Sequence, residues 1–86
     1  MYSIVYSQRA KADIVKLKAA GLDKKAKRLI DLLRVNPYQS PPTLEKLKGD
    51  FEGALSRRIN IQHRLVYQVL EDEKTVKIIM MWTHYE

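Results

Sequence analysis

The period of the hydrophobic pattern changes near the middle of this 86-residue chain, and that change limits the folds available to it. From Ala10 to Leu33 apolar residues recur at helical spacing, whereas from Leu55 to Trp82 they alternate with polar residues in short runs. Helical spacing puts apolar side chains on one face of a helix, and alternation puts them on one face of a strand. The chain is therefore predicted to place a helical part before a sheet.

Two helices are predicted in the first half of the chain. Ser7 is the expected N-cap of the first helix, which should stop near Gly21. Asp23 is the expected cap of the second, which should end at Asn36, because a residue before proline is disfavoured in helical geometry. Few residues separate the two, so we expect an antiparallel helical hairpin. The two apolar faces are Ala10, Ile14 and Leu17, then Ala26, Leu29, Ile30 and Leu33.

Strand patterns surround the helical hairpin. Residues 2–6 (YSIVY) predict a short first strand, and residues 36–44 carry all three prolines in what should be an ordered loop. Three further strands with short turns follow, which predicts an antiparallel meander. The predicted fold is a single α+β domain over residues 1–86: an antiparallel sheet with an N-terminal strand, and the hairpin on one face. One face of the last strand should hold Val76, Ile78, Met80 and Trp82.

Composition narrows the classes of function. The net charge is +6, which favours a polyanionic partner such as nucleic acid or an acidic protein. The chain has no cysteine and two histidines, so neither a disulfide framework nor a metal site is expected, and no cofactor is. There is no stretch resembling a signal peptide or a membrane helix, so a cytoplasmic protein without membrane contact is expected.

Several polar residues outside the predicted core lie at strand ends and on strand faces. Among them a carboxylate can take a proton, a histidine can give one, and several cations can hold a phosphate. That set is sufficient to cleave RNA without a metal, by attack of the 2′-hydroxyl on its own phosphate. The residues are Glu45, Lys48, Arg57, Arg58, His63, Arg64, His84 and Tyr85.

Taken one at a time, these residues have simpler explanations. A histidine near a chain end is more often an exposed side chain than a catalyst. Arg57 and Arg58 are compatible with surface charges that pair with Asp50 or Glu52. Tyr67 and Trp82 are expected in the core, and the lysines of the helices on solvated faces or against ribosomal RNA. Residue type alone therefore does not establish a site.

The order of the motifs is more specific than any one of them. The pattern SRRI, HRLVY and a terminal HY, preceded by Glu45, resembles the YoeB/Txe family of toxins in the RelE-like superfamily. That resemblance implies a toxin of a toxin–antitoxin pair: a ribosome-dependent endoribonuclease that cuts mRNA in the ribosomal A site. It also implies an acidic, YefM-like antitoxin as partner. The ribosome, its mRNA, operator DNA reached through the antitoxin, and a second copy of the chain are the other expected partners.

The resemblance also implies roles for individual residues. Glu45 is expected to be the general base on the 2′-hydroxyl, and His84 the general acid on the 5′-oxygen. Arg64 is expected to stabilise the transition state, and Tyr85 to position or stack the RNA. Lys48 and Arg58 are expected to assist at phosphate. Arg57 and His63 are grouped with them as secondary candidates for binding RNA or phosphate, with no chemical role assigned to either.

Two alternatives remain at the level of sequence. One is a toxin on the same scaffold without nuclease activity, similar to the ParE-type inhibitors of DNA gyrase. Those proteins generally lack the base and acid pair that Glu45 and His84 provide. The other is a plain ribosome- or RNA-binding module, whose binding would be salt-dependent and would survive loss of both residues.

Overall fold

The computed structural model describes the backbone of residues 1–84 and the side chains of residues 1–82. Short 3₁₀ turns cover Gly49–Phe51 and Glu71–Glu73. No helix in this part of the chain combines the length and the apolar character needed to cross a membrane. In chain order, the elements are β1 (Ser3–Tyr6), α1 (Gln8–Ala19), α2 (Asp23–Val35), β2 (Glu45–Lys46), β3 (Leu55–Arg58), β4 (His63–Leu70) and β5 (Thr75–His84).

The strands form one sheet in the order β1-β5-β4-β3-β2. Strands β2 to β5 pair antiparallel, and β1 pairs parallel with β5 from Ser3 opposite Thr75 to Tyr6 opposite Ile78. The predicted α+β architecture with the helices on one face is confirmed, but the sheet is mixed rather than wholly antiparallel. Alternation in residues 2–6 indicates a strand but does not indicate which strand it pairs with or in which direction. Here β1 pairs parallel with β5 at the edge of the sheet.

The helix ends agree with their local signals in all but one position. Ser7 caps α1, its hydroxyl accepting from the backbone N–H of Ala10 at 3.0 Å. Gly21 follows α1 with φ 73°, a backbone conformation that glycine adopts without steric cost. The prediction of Asp23 as a cap is wrong: Asp23 is the first residue of α2, and Leu22 in the cap position makes no side-chain capping bond.

Two hydrophobic clusters lie on opposite faces of the sheet. The larger one packs the helices against the sheet and includes Leu17, Leu33, Leu65, Tyr67 and Ile78, all almost fully buried. The smaller one, on the face without helices, consists of Ala54, Val66 and Met80, with Leu47 and Ile79 packed against it. Alternation along β3 and β4 therefore separates a helix-covered face from a second face with a small apolar patch.

Strand β5 departs from regular alternation. Tyr67 is opposite Ile78, Val66 is opposite Met80 and Arg64 is opposite Thr83, so β5 contains an extra residue at each of the two steps. Such β-bulges change the face on which the following side chains lie. The prediction of one shared face for Ile78, Met80 and Trp82 is therefore wrong. Ile78 lies in the larger cluster, as does Met81, and Met80 lies in the smaller one.

Candidate active site

Glu45 occupies the start of the edge strand β2. It is half-buried, and its Cα lies opposite Ser56 of β3, which in turn lies opposite Val66 of β4. Residues opposite each other in a sheet share a face, so Glu45 belongs to the face without helices. Strand β2 contains only two residues, so its position depends on the segments on either side of it.

Two arginines lie on that face beside Glu45. Arg58 is two residues beyond Ser56 on β3, and its Cα is paired directly with that of Arg64 on β4. Arg58 is exposed and Arg64 is half-buried. Side chains in such a pair start about 5 Å apart, so the two guanidinium groups concentrate positive charge beside Glu45.

A surface cavity connects the carboxylate with one of these cations. Pro42, Thr43, Glu45 and Arg58 line it. A phosphate that entered this cavity would meet a guanidinium with planar donors and a carboxylate able to accept a proton. Glu45, Arg58 and Arg64 are thus brought onto one face of the sheet by the register of three adjacent strands.

Lys48 lies apart from that cavity. It is exposed just after β2, and with Lys46, Leu47 and Gly53 it borders a neighbouring cavity that also includes Glu52. It adds positive charge beside the site, and its predicted contact with phosphate stays a prediction.

Arg57 lies on the opposite, helix-covered face and is 1% exposed. Its guanidinium donates to the backbone carbonyls of Pro37, Gln39 and Pro42 and to the hydroxyl of Tyr67. These bonds occupy the donors that a phosphate would need. The position of Arg57 therefore argues against the phosphate-binding role expected for it and indicates a role inside the fold.

His63 is also buried, at 5% exposure, and its ring stacks on Trp82 with 4.0 Å between ring centroids. Its backbone N–H donates to Asn60 Oδ1 at 2.7 Å in the turn between β3 and β4. Strand β3 consequently ends at Arg58, earlier than the alternation through Ile61 suggests. The stacking and the turn both favour a structural role for His63 over contact with phosphate.

The two terminal residues of the predicted site are described only in part. The Cα of His84 is paired with that of His63, next to the pair of Thr83 and Arg64, so the backbone of His84 lies one strand away from the arginine pair. The side chain of His84 and the whole of Tyr85 lie outside the described residues. Their predicted roles stay predictions.

Sequence reasoning missed two buried polar residues close to these strands. Asp13 of α1 is 2% exposed, and its carboxylate accepts from the backbone N–H groups of Met81 and Trp82 on β5. A carboxylate within the apolar stripe of α1 was an available signal. Ser56 is fully buried opposite Glu45, and among the described residues its hydroxyl has no hydrogen-bond partner.

Comparison with known proteins identifies the family. The family model for the YoeB-like toxin of bacterial type II toxin–antitoxin systems matches residues 5–85. The chain belongs to the YoeB-like toxin family. Toxin YoeB of Streptomyces coelicolor is 39% identical to this YoeB-like toxin over 62 residues, which cover 72% of this chain and 71% of the relative.

Solved structures agree with that assignment. A YoeB/ParE toxin from Agrobacterium tumefaciens has a TM-score of 0.85 at 29% identity, covering 96% of this chain and 99% of its own. YoeB from Staphylococcus aureus, solved in a YoeB–YefM complex, has a TM-score of 0.80 at 33% identity over 99% of each chain. The same protein solved as a dimer gives 0.81 at 33% identity over 98% of each. The predicted family is confirmed, and the YoeB-like toxin shares its fold over nearly the whole chain.

Proposed function

We propose that this YoeB-like toxin is a ribosome-dependent endoribonuclease that cleaves mRNA in the ribosomal A site and thereby inhibits translation. The observation that carries the proposal is the placement of a half-buried carboxylate, Glu45, on the same sheet face as Arg58 and Arg64. The cavity bordered by Glu45 and Arg58 gives this face room for a phosphate.

The chemistry needs no metal. Glu45 takes the proton of the 2′-hydroxyl, and the 2′-oxygen forms a bond to the adjacent phosphorus. The bond from phosphorus to the 5′-oxygen breaks, and His84 gives that oxygen a proton. The products are a 2′,3′-cyclic phosphate and a free 5′-hydroxyl. Each of the two proton transfers typically contributes ~10²–10⁴-fold to the rate.

The arginines act on charge that develops at the phosphorus. Arg64 stabilises the transition state, and Arg58 and Lys48 assist at the phosphate oxygens. Cations positioned in advance are often the largest contribution to such reactions. Tyr85 positions the RNA by stacking. The described part of the site has little surface for base stacking, so the ribosome supplies the rest of the substrate alignment.

The proposed partners follow from the charge and from the relatives. A YefM-like antitoxin with acidic character would neutralise the basic surface, and the S. aureus YoeB is found in complex with YefM. Self-association is proposed on the model of the S. aureus dimer. Contact with operator DNA would be made through the antitoxin. The site of action is the ribosome in the cytoplasm.

The test is translation of a defined mRNA with purified components, followed by mapping of new RNA ends by primer extension. Wild-type protein is expected to create ends within A-site codons. Glu45→Gln and His84→Gln are each expected to lower the cleavage rate by about 10²-fold or more. Glu73→Gln is the matched control, since it neutralises an exposed carboxylate in the turn before β5. It should cleave as the wild type does.

Other outcomes would replace the proposal. Inhibition of DNA gyrase with intact mRNA would establish the ParE-like alternative. Salt-dependent ribosome binding without cleavage, unchanged in both variants, would establish a plain binding module.

A further inference from the structure

The buried guanidinium of Arg57 connects the sheet with the proline-containing loop between α2 and β2. Its Nη1 donates to Pro42 O at 2.8 Å, and its Nη2 donates to Pro37 O at 3.1 Å and to Gln39 O at 2.6 Å. One side chain therefore contacts three carbonyls spread over six loop residues. An arginine fork can do this because its donors point in several fixed directions from one plane.

Tyr67 completes the network from the neighbouring strand. Its hydroxyl accepts from Arg57 Nε at 3.1 Å and donates to Pro37 O at 2.6 Å. Burial raises the pKa of the Tyr67 phenol, and hydrogen bonding with Arg57 opposes that rise. The phenol is therefore protonated at neutral pH and available as the donor to Pro37.

Within the described residues, dipoles rather than a counter-ion compensate the charge of Arg57. Among the described residues, no carboxylate forms a salt bridge with it. Burying a cation without a counter-ion is costly unless strong hydrogen bonds replace its water. Bonds from a charged donor are about twice as strong as neutral ones, so the loop carbonyls are firmly held. Such an arrangement holds the loop in one conformation in addition to filling the core.

The loop leads directly to the proposed general base. Pro42, held by Arg57, is three residues before Glu45, and the Cα of Glu45 is paired with that of Ser56, the neighbour of Arg57. Strand β2 has only two residues and lies at the edge of the sheet beside β3. So short an edge strand depends for its position on the segment that leads into it as well as on its pairing with β3. Arg57 thus holds the segment that precedes β2, and β3 holds β2 itself by backbone pairing.

We propose that Arg57, with Tyr67, is a positioning residue for Glu45, holding the loop so that the carboxylate stays aligned on the opposite face of the sheet. The proposal rests on the function proposed above for Glu45. It assigns to Arg57 a part in the reaction without any contact with RNA.

Hydrogen exchange tests the positioning without reference to activity. Arg57→Lys keeps the charge but cannot reach all four acceptors, and Tyr67→Phe removes one acceptor and one donor. Both are expected to speed amide exchange in peptides covering residues 36–48 by about 10-fold or more, with smaller changes over residues 8–35. Ile30→Val is the control because it leaves a small cavity in the helical part of the core. It should not speed exchange in residues 36–48 more than in residues 8–35. Unchanged exchange in residues 36–48 would overturn the proposal.

Kinetics tests whether the positioning acts through Glu45. Arg57→Lys and Tyr67→Phe are expected to lower kcat by roughly 10–100-fold with little change in KM, because a displaced base misaligns the bound substrate. In a Glu45→Gln background the same two substitutions should lower the residual rate by less than about 2-fold. Equal losses in both backgrounds would overturn the proposal. An inactive wild type would instead contradict the proposed function, while hydrogen exchange would still decide whether Arg57 holds the loop.

Discussion

Asp13 of α1 and Met81 of β5 are 68 residues apart, and a buried hydrogen bond of 3.0 Å joins the Asp13 carboxylate to the Met81 backbone N–H. The same carboxylate oxygen accepts from the N–H of Trp82 at 3.2 Å. Two consecutive N–H groups can point toward one acceptor here because the strand is bulged between Arg64 and Val66 of its neighbour. The helix therefore stabilises the irregular part of the strand that leads to His84.

Replacing Asp13 should destabilise the fold. Asp13→Ala leaves one buried and one partly buried N–H group without their acceptor, and we expect it to lower the free energy of unfolding by about 2–4 kcal/mol. Asp13→Asn keeps one acceptor oxygen and should cost less. Urea unfolding measures both, with the exposed Lys16→Ala on the same helix as control. A loss for Asp13→Ala no larger than that of the control would contradict the role given to this carboxylate.

Two serines should respond differently to the same substitution. Ser7 caps α1 and also donates to the carbonyl of Ile79 at 2.5 Å, so Ser7→Ala should cost about 1–2 kcal/mol. The buried hydroxyl of Ser56 has no hydrogen-bond partner among the described residues, so Ser56→Ala should change stability by about 0.5 kcal/mol or less. Thermal or urea unfolding of the pair provides the comparison. A larger loss at Ser56 than at Ser7 would show that the hydroxyl of Ser56 has a partner that matters for folding.

Stability should depend on pH through a surface cluster that joins Tyr2, the loop after α2 and the turn before β5. The hydroxyls of Tyr2 and Tyr38 each donate to Glu71 Oε1 at 2.8 Å. These bonds lower the pKa of Glu71, so their stabilising effect is present above the ordinary carboxyl pKa and is lost as pH falls through the folded value. The difference in urea midpoint between wild type and the Tyr2→Phe/Tyr38→Phe double variant should therefore shrink in acid. A difference that is constant from neutral to strongly acidic pH would contradict the linkage.

The same cluster should titrate at alkaline pH. Burial, followed by the bond to Glu71, raises the pKa of Tyr38 from 10.0 to about 12. The folded state then favours the protonated phenol, so this stabilisation is complete below pH 10 and is lost as pH rises toward 12. Ultraviolet absorbance of the phenolate, compared between wild type and Tyr38→Phe, measures it. The wild type should show one more phenolate than the variant, and this extra phenolate should form only as pH approaches 12. An extra phenolate that forms near pH 10 would contradict the raised pKa of Tyr38.

Arg64 should be more sensitive to a conservative change than a surface arginine. A lysine keeps the charge but lacks the planar pair of donors that fits phosphate oxygens. Arg64→Lys is expected to lower kcat for mRNA cleavage by about 10²-fold, with a smaller effect on KM. Arg28→Lys on the exposed side of α2 is the control. Cleavage by Arg64→Lys at the rate of the control would remove Arg64 from the proposed transition-state contacts.

Features that depend on neighbouring residues were predictable. Ser7, Gly21 and Asn36 mark helix ends through bonds and backbone angles within a few residues of themselves. Alternation also put Leu65 and Tyr67 on the core side of β4, where both are fully buried. It placed Arg57 and Arg58 on opposite faces as well, because successive residues of a regular strand point to opposite sides.

What alternation could not show was the use that the fold makes of each face. Arg57 was grouped with the phosphate-binding residues because the loop carbonyls that surround it come from 15 to 20 residues away. Strict alternation also failed in β5, where the bulges separate Ile78 from Met80. No local sequence pattern predicts a bulge whose N–H groups donate to a residue of a helix that is distant in the sequence.

The sequence by itself determined both helices, four of the five described strands, the main core positions and, through its ordered motifs, the YoeB-like family. Only the tertiary structure decided which polar residues share a face with Glu45, and which are buried where they support the fold. The physical reason is that periodicity is a property of one segment. Hydrogen bonds such as those of Arg57 and Asp13 join segments that become neighbours only after folding.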